Sequence, residues 1–139
     1  MIDRERGSSI VEFAILGTLV FGVLVQAVVL FGVLHRATLA TSAAAREYGR
    51  AVVVASSEAD AATRGALVVE QATGNHGLPS GSLHATVEGQ RGRGELLRVR
   101  VRTDVPVFRI PFLGDVLPSV AVPVEATHSV QLDRYRSGS

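Results

Sequence analysis

Cysteine is absent from the 139-residue sequence, and so are lysine and tryptophan. Without cysteine there is no disulfide framework, no thiolate metal site and no lipidated thiol, so a domain outside the cytoplasm has to be held by its core or by neighbours. Aromatic residues make up only 5% of the chain, which leaves Val, Leu and Ala to fill that core. All cations other than histidine are arginines, which reads as coding bias rather than function. The formal net charge of +1 is too small for bulk attraction to nucleic acid or anionic membrane. The four histidines, His35, His76, His84 and His128, lack metal-ligand spacing. No G-x-S-x-G, H-E-x-x-H or P-loop pattern occurs. The sequence therefore offers no catalytic residue, no metal ligand and no cofactor site.

The longest absence is of charge. From Phe13 to Leu34 no residue is charged, and about 22 residues of helix span ~33 Å, enough to cross a hydrocarbon layer of ~30 Å. Glu12 stands at the start of this run, the fifth residue after Gly7. A carboxylate at the edge of lipid is costly and marks a functional position. Ahead of it, Met1–Gly7 is a charged leader with Asp3, Arg4, Glu5 and Arg6, expected to be disordered or frayed. The apolar run is too long for a secretory signal peptide, and no A-x-A-like site follows Leu34. An uncleaved single-pass anchor is the competing reading. Arg4 and Arg6 on one side face Arg36, Arg46 and Arg50 on the other, so the positive-inside rule gives no orientation. Within the run Ala14, Thr18, Gly22 and Gln26 recur every fourth residue. That places them along one helix face, where small side chains let backbones approach and Gln26 can hydrogen-bond across helices.

The segments Arg6-Gly7, Val11-Glu12-Phe13-Ala14, Leu30-Phe31-Gly32, His35-Arg36 and Ala44-Ala45-Arg46-Glu47 cover roughly the first third of the chain. Together they resemble the TadE-like minor pilins (pseudopilins) of tight-adherence, Flp-type, type IV pilus systems. Family members often carry a proline early in the helix, where this chain reads Leu16-Gly17-Thr18. The resemblance implies that a prepilin peptidase cuts between Gly7 and Ser8 and usually methylates the new amino terminus. It implies that Glu12, with Phe13 beside it, serves assembly, the carboxylate pairing with a neighbour's terminal amine. It further implies no enzymatic activity, an α+β layout and a single-pass protein of the cytoplasmic membrane, N-terminus inside and C-terminal domain outside. The implied partners are other pilins or pseudopilins, the prepilin peptidase, membrane lipid and the pilus assembly machinery.

Beyond Leu34 nothing breaks the helix, so it is expected to continue as one rod through Tyr48 and Arg50, with Ala37, Ala40, Ala44 and Ala51 as a narrow packing face. Ser57-Glu58-Ala59-Asp60 resembles a capping box with Asp in the Glu position, starting a helix over Glu58–Thr73. That helix has Ala62, Leu67 and Val68 as apolar residues and Gly74 as its stop. Gly74–Gly81 is a turn-rich linker. Leu83, Ala85 and Val87 alternate with His84, Thr86 and Glu88, and Gly89–Gly94 reads as a hairpin loop. Leu97, Val99, Val101, Thr103 and Val105 alternate with Arg98, Arg100, Arg102 and Asp104, the clearest half-buried strand. A last strand over Val120–Asp133 turns Val122, Val124, Ala126, His128, Val130 and Leu132 to one face, and Pro123 points to an edge or a bulge. The tail Arg134–Ser139 is expected to fray. The sum is an α+β chain, a long N-terminal transmembrane helix followed by an antiparallel sheet of about three strands. The domains are a leader (1–7), a membrane and extended helix (8–56) and an extracytoplasmic domain (57–139).

Two further readings concern binding. Arg98, Arg100 and Arg102, with Arg91 and Arg93 nearby, form a local basic patch that could take DNA, wall polymer or lipid. The interleaved aromatics of single-strand binders are missing, and alternating Arg is also what a solvated strand face looks like, so nucleic acid is not the expected partner. A DNA-binding pseudopilin stays as an alternative. His84 and His128 fall on strands that could be neighbours, with His128 at a core parity. The apolar stretch Phe108–Leu117 reads as core cover or, in an assembly subunit, as a docking loop.

Overall fold

The computed structural model describes residues 3–89, 95–107 and 120–132, with side chains from Ser9 onward. The elements run α1 (Asp3–Val54), α2 (Glu58–Asn75), β1 (His84–Glu88), β2 (Leu96–Pro106) and β3 (Ala121–Gln131). This is the expected α+β arrangement, a long apolar N-terminal helix and a three-stranded antiparallel sheet in the order β1-β2-β3. The stretch Phe108–Leu117, the loop arginines Arg91 and Arg93, and the tail from Arg134 lie outside the described residues.

The chain forms two compact units, Met1–Val33 and Leu34–Ser139. α1 runs through both units, and the residues it buries, from Ala37 on, belong to the second. The backbone expected to be disordered or frayed before Gly7 is helical from Asp3; with no proline before Pro79 and good helix formers at Arg4, Glu5 and Arg6, nothing stops the helix earlier.

In the second unit α1 buries Ala37, Ala40, Thr41, Ala44, Ala45, Ala51 and Val52. Small side chains let the helix axis lie close to its neighbours. α1 meets β3 at Gly49, where a Cβ would come 2.9 Å from both His128 and Val130. The Thr41 hydroxyl is fully buried and donates to the Ala37 carbonyl at 2.9 Å, so no polar group is stranded there. One cluster joins Ala40, Ala44, Ala45, Ala72, Leu83, Val99 and Val101. A second joins Val52, Ala55, Ala61 and Leu97, and Tyr48 packs against both. Val99 and Val101 are fully buried, each contributing roughly 1.5–3 kcal/mol.

The break after α1 falls at Ala55-Ser56-Ser57. Ser57 is extended (φ −146°, ψ 169°) and its hydroxyl accepts the Asp60 N–H at 3.1 Å. The Asp60 carboxylate reaches back to the N–H of Ser56 at 3.0 Å rather than to that of the cap residue. Asp60 also takes a 2.7 Å hydrogen bond from Arg64 Nε. The Arg64 bond and then the Ser56 N–H hold the Asp60 carboxyl below its usual range. A depressed folded-state pKa stabilises the fold above the unfolded value and loses that stabilisation as pH falls through the folded one. Asp60→Asn is therefore expected to lower the melting temperature at neutral pH and to flatten its decline below pH ~4. Parallel thermal melts from pH 6 to pH 2 check it, and two curves of the same shape would refute it.

The end of α2 differs from expectation. Gly74 stays inside the helix, and the chain reverses at Gly77, which holds φ +63°. There the Leu78 N–H donates to the Thr73 carbonyl at 3.0 Å and the Gly77 N–H to the Gly74 carbonyl at 3.1 Å, the paired bonds of a Schellman end. The buried face of α2 is Ala61, Gly65, Ala72 and Thr73. Leu67 is 66% exposed and Ala62 faces outward, so these two of its expected apolar residues lie off the core. Gly65 lies flat against the Tyr48 ring, in the space where a Cβ would stand.

β2 alternates as expected, with Leu97, Val99, Val101, Thr103 and Val105 buried. It pairs with β1 from His84↔Arg102 to Glu88↔Arg98 and with β3 from Leu96↔Gln131 to Pro106↔Ala121, each in an unbroken register. Val107 N–H bonds Val120 O at 2.8 Å, and Leu132 N–H bonds Glu95 O at 3.2 Å. Both ends thus agree that even-numbered β3 residues turn their backbone groups toward β2 and odd-numbered ones away. Pro123 is odd-numbered, so the N–H it lacks belongs to the outer edge and no ladder bond is lost, and the strand needs no bulge. By the same alternation Pro106 faces the side of β2 where β1 has already ended.

Candidate functional site

Gly7 and Ser8 lie in the first turns of α1. Ser8 and Glu12 are four residues apart on that helix, hence on one face and ~6 Å apart along the axis. Glu12 is exposed and Phe13 is 78% exposed. Every residue from Ser9 to Val29 is exposed, including Ile10 (71%), Phe21 and Val28. α1 is thus long and apolar enough to cross a membrane, and its span is uncovered by its own chain. A helix apolar all round is at equilibrium only in lipid or against other apolar helices.

Ala14, Thr18, Gly22 and Gln26 are all exposed and helical. The Thr18 hydroxyl donates to the Ala14 carbonyl at 2.8 Å, so its polarity is absorbed within the helix and the stripe keeps a small outline. Nothing lies within 4 Å of where a Cβ on Gly17, Gly22 or Gly32 would stand. Steps of four residues drift about 40° round a helix of 3.6 residues per turn. The stripe therefore winds across the helix surface, along the row that favours right-handed crossings of roughly −40°.

On the sheet, Arg98 and Arg102 are exposed and Arg100 is half-buried, all three on the face away from the helices. Arg100 lies 3.5 Å from Glu88 and 3.2 Å from Glu125, and Arg102 lies 3.1 Å from Asp104. The Arg100–Glu125 approach through Nε is an ion pair without hydrogen-bond alignment. Three arginines and three carboxylates share this face, so among the described residues it is charge-matched and not the basic patch that the strand alone suggests. Exposed pairs of this kind contribute about 0–1 kcal/mol each. Changing Arg98, Arg100 and Arg102 together to Gln is expected to leave the fold and membrane residence close to normal and to cause no loss of DNA retention across a salt series. A salt-steep loss of DNA binding in that variant is the result that would reinstate the polyanion reading.

The histidines do not converge. His84 and His128 lie on opposite edge strands with β2 between them, His84 on the outer face opposite Arg102 and His128 turned inward onto Gly49. This corrects the expectation that their strands adjoin. Among the described residues no three His, Asp or Glu side chains are grouped to hold a metal ion. A cleft of ≈ 480 Å³ opens beside Tyr48, Val52, Glu58, Ala61, Val87 and Leu97, with the Glu58 carboxylate and the Tyr48 phenol as the titratable groups among the residues lining it.

Tyr48 and Gly65, on which the helix pair turns, have no counterpart in the sequence reading. The one available signal is that Gly65 interrupts an otherwise good helix former sequence, and an interior helix glycine commonly has a packing reason. No protein-family model, curated protein or solved structure matches this chain.

Proposed function

We propose that this chain is a TadE-like minor pilin, a membrane-anchored structural subunit in the assembly of a tight-adherence type IV-like pilus. One observation carries the reading: Gly7, Ser8 and Glu12 stand at prepilin-like spacing at the head of a single helix that is apolar and exposed as far as Val29. In this reading the prepilin peptidase cuts between Gly7 and Ser8, with the chain's N-terminus inside and the sheet domain outside. The helix then waits in the membrane, its stripe of Ala14, Thr18, Gly22 and Gln26 open to other pilin helices.

The rival is an uncleaved single-pass protein displaying the same sheet domain. Mass spectrometry of the mature amino terminus, on protein from membranes with an active prepilin peptidase, separates the two. The expected chain begins at Ser8, with or without N-methylation. Intact chains beginning at Met1 would favour the anchor.

A further inference from the structure

We infer that one end of the second unit is a membrane-contact surface, where Arg36 takes lipid phosphate and Val120 and Val122 meet the acyl chains. The inference rests on α1 crossing the membrane, and it holds whether or not the chain is cut after Gly7. The core clusters fix which residues share that end. One groups Leu97 and Ala61 with Val52 and Ala55; the other groups Val99, Val101 and Ala72 with Ala40, Ala44 and Ala45. β2 and α2 therefore both run opposite to α1 and finish toward Leu34. The Arg36 guanidinium accordingly lies 4.0 Å from where a Cβ on Gly77 would stand, just past α2. Val105 is four residues beyond Val101, ~13 Å along the strand, which equals the rise of about nine helix residues. That brings it to the level of Leu34, and past it Val107 bonds Val120.

The chain's own course names lipid as the occupant. Its uncharged run ends at Leu34, so the next ~5–7 Å of α1 lies at headgroup depth, and Arg36 falls within it. Arg36 is exposed and has no ion-pair partner among the described residues. The segments Leu34–Thr38, Asn75–Pro79, Val105–Val107 and Val120–Pro123 contain no carboxylate. Glu70 and Asp104, the nearest along the chain, are engaged by Ser80 and Arg102. Val120 is 63% and Val122 38% exposed, apolar surface at the depth where acyl chains begin. Pro106 and Pro123 each remove an outward N–H at this end, which lessens the cost of bringing open strand edges into a dehydrated layer. The opposite end exposes Val54 and Leu96 too, but it shares them with the exposed carboxylates of Glu58, Glu88 and Glu95, which lipid phosphate repels.

Because the chain has no cysteine, a fluorophore can be placed at one residue at a time. The full chain, carrying Val29→Cys, Val120→Cys or Leu96→Cys, is labelled and reconstituted in vesicles of phosphatidylcholine and phosphatidylglycerol. Quenching is read from a nitroxide placed high on the lipid acyl chain and, separately, from acrylamide in the water. Positions 29 and 120 are expected to be quenched by the lipid and shielded from acrylamide, and position 96 the reverse. Arg36→Gln is expected to weaken docking about fivefold, the usual weight of one arginine at an anionic surface. It should lower lipid quenching at position 120, leave position 29 unchanged and hold the melting temperature of the domain. Position 120 behaving like position 96 overturns the proposal, and so does lipid quenching there that ignores Arg36→Gln. Shielding of position 120 from both quenchers overturns it as well, because protein then covers this end. Loss of lipid quenching at position 29 is a different failure: the helix does not span, and the contact surface falls with it.

Discussion

Gly65→Val is expected to pull α2 off α1 and to destabilise the sheet domain by roughly 3 kcal/mol, the upper part of the overpacking range. The side chain would occupy space now filled by the Tyr48 ring. Tyr48 packs against both hydrophobic clusters, so its displacement loosens the two together. The cleft that the ring already lines gives it a way out, and moving there exchanges helix contact for solvent. Against a domain stability of about 5–15 kcal/mol, the loss corresponds to a fall in Tm on the order of 10–20 °C. The same logic fixes a control. With Tyr48→Ala in place the clash is gone, and adding Gly65→Ala should then be neutral or stabilising by up to ~1 kcal/mol through helix propensity. A double-mutant cycle on the full chain, read by thermal melts and by amide exchange in α2, isolates the coupling. If Gly65→Val melts with the parent, the α1–α2 seam does not depend on this contact.

This seam also shows where the sequence is a poor guide. Residues whose role is set along one line of chain were legible. β2 reports both of its environments at once, because valines and arginines alternate with period two, and the structure buries one set and exposes the other. Pro123 marks an edge because a missing N–H is tolerated only there. The alanine face of α1 shows in the spacing of Ala37, Ala40, Ala44 and Ala51. What stayed hidden depends on partners distant in sequence. α2 carries Leu67 as its largest aliphatic side chain, yet Leu67 faces solvent. The face that packs is chosen by the gap at Gly65, which hydrophobicity does not register. Gly74 and Gly77 both look like helix stops, and the choice is made by the bonds from Gly77 and Leu78 back to the last turn. Read alone, the arginines of β2 form a patch; the carboxylates that match them come from β1 and β3 as well as from β2 itself. In the candidate site the balance is reversed. Gly7, Ser8 and Glu12 form a linear pattern and could be read without the fold.

Glu12→Gln is expected to leave the protein stable and resident in the membrane, and to reduce sharply its incorporation into, or initiation of, the pilus. Insertion needs only apolar length, which the run from Phe13 to Leu34 already provides, and hydrocarbon accepts a carboxamide more readily than a carboxylate. On the proposed reading processing should survive, since the proposed scissile bond precedes Ser8, one helical turn before residue 12. What the amide cannot do is neutralise a neighbouring subunit's terminal amine in lipid. Removing one member of a desolvated ion pair typically costs about 3–5 kcal/mol, because the other charge is left behind. At about 1.4 kcal/mol per factor of ten, that lowers an assembly constant by roughly 10²–10³-fold or more. Shape and charge are separable at this position. Glu12→Asp keeps the anion on a shorter arm and should recover part of the loss, whereas a residue needed for its bulk would fare no better as Asp than as Gln. The measurement compares sheared pilus fractions with membrane fractions from cells expressing each variant at matched levels. Equal piliation by the Gln variant and the parent would reduce Glu12 to a carboxylate at a helix start, favoured there by the helix dipole alone.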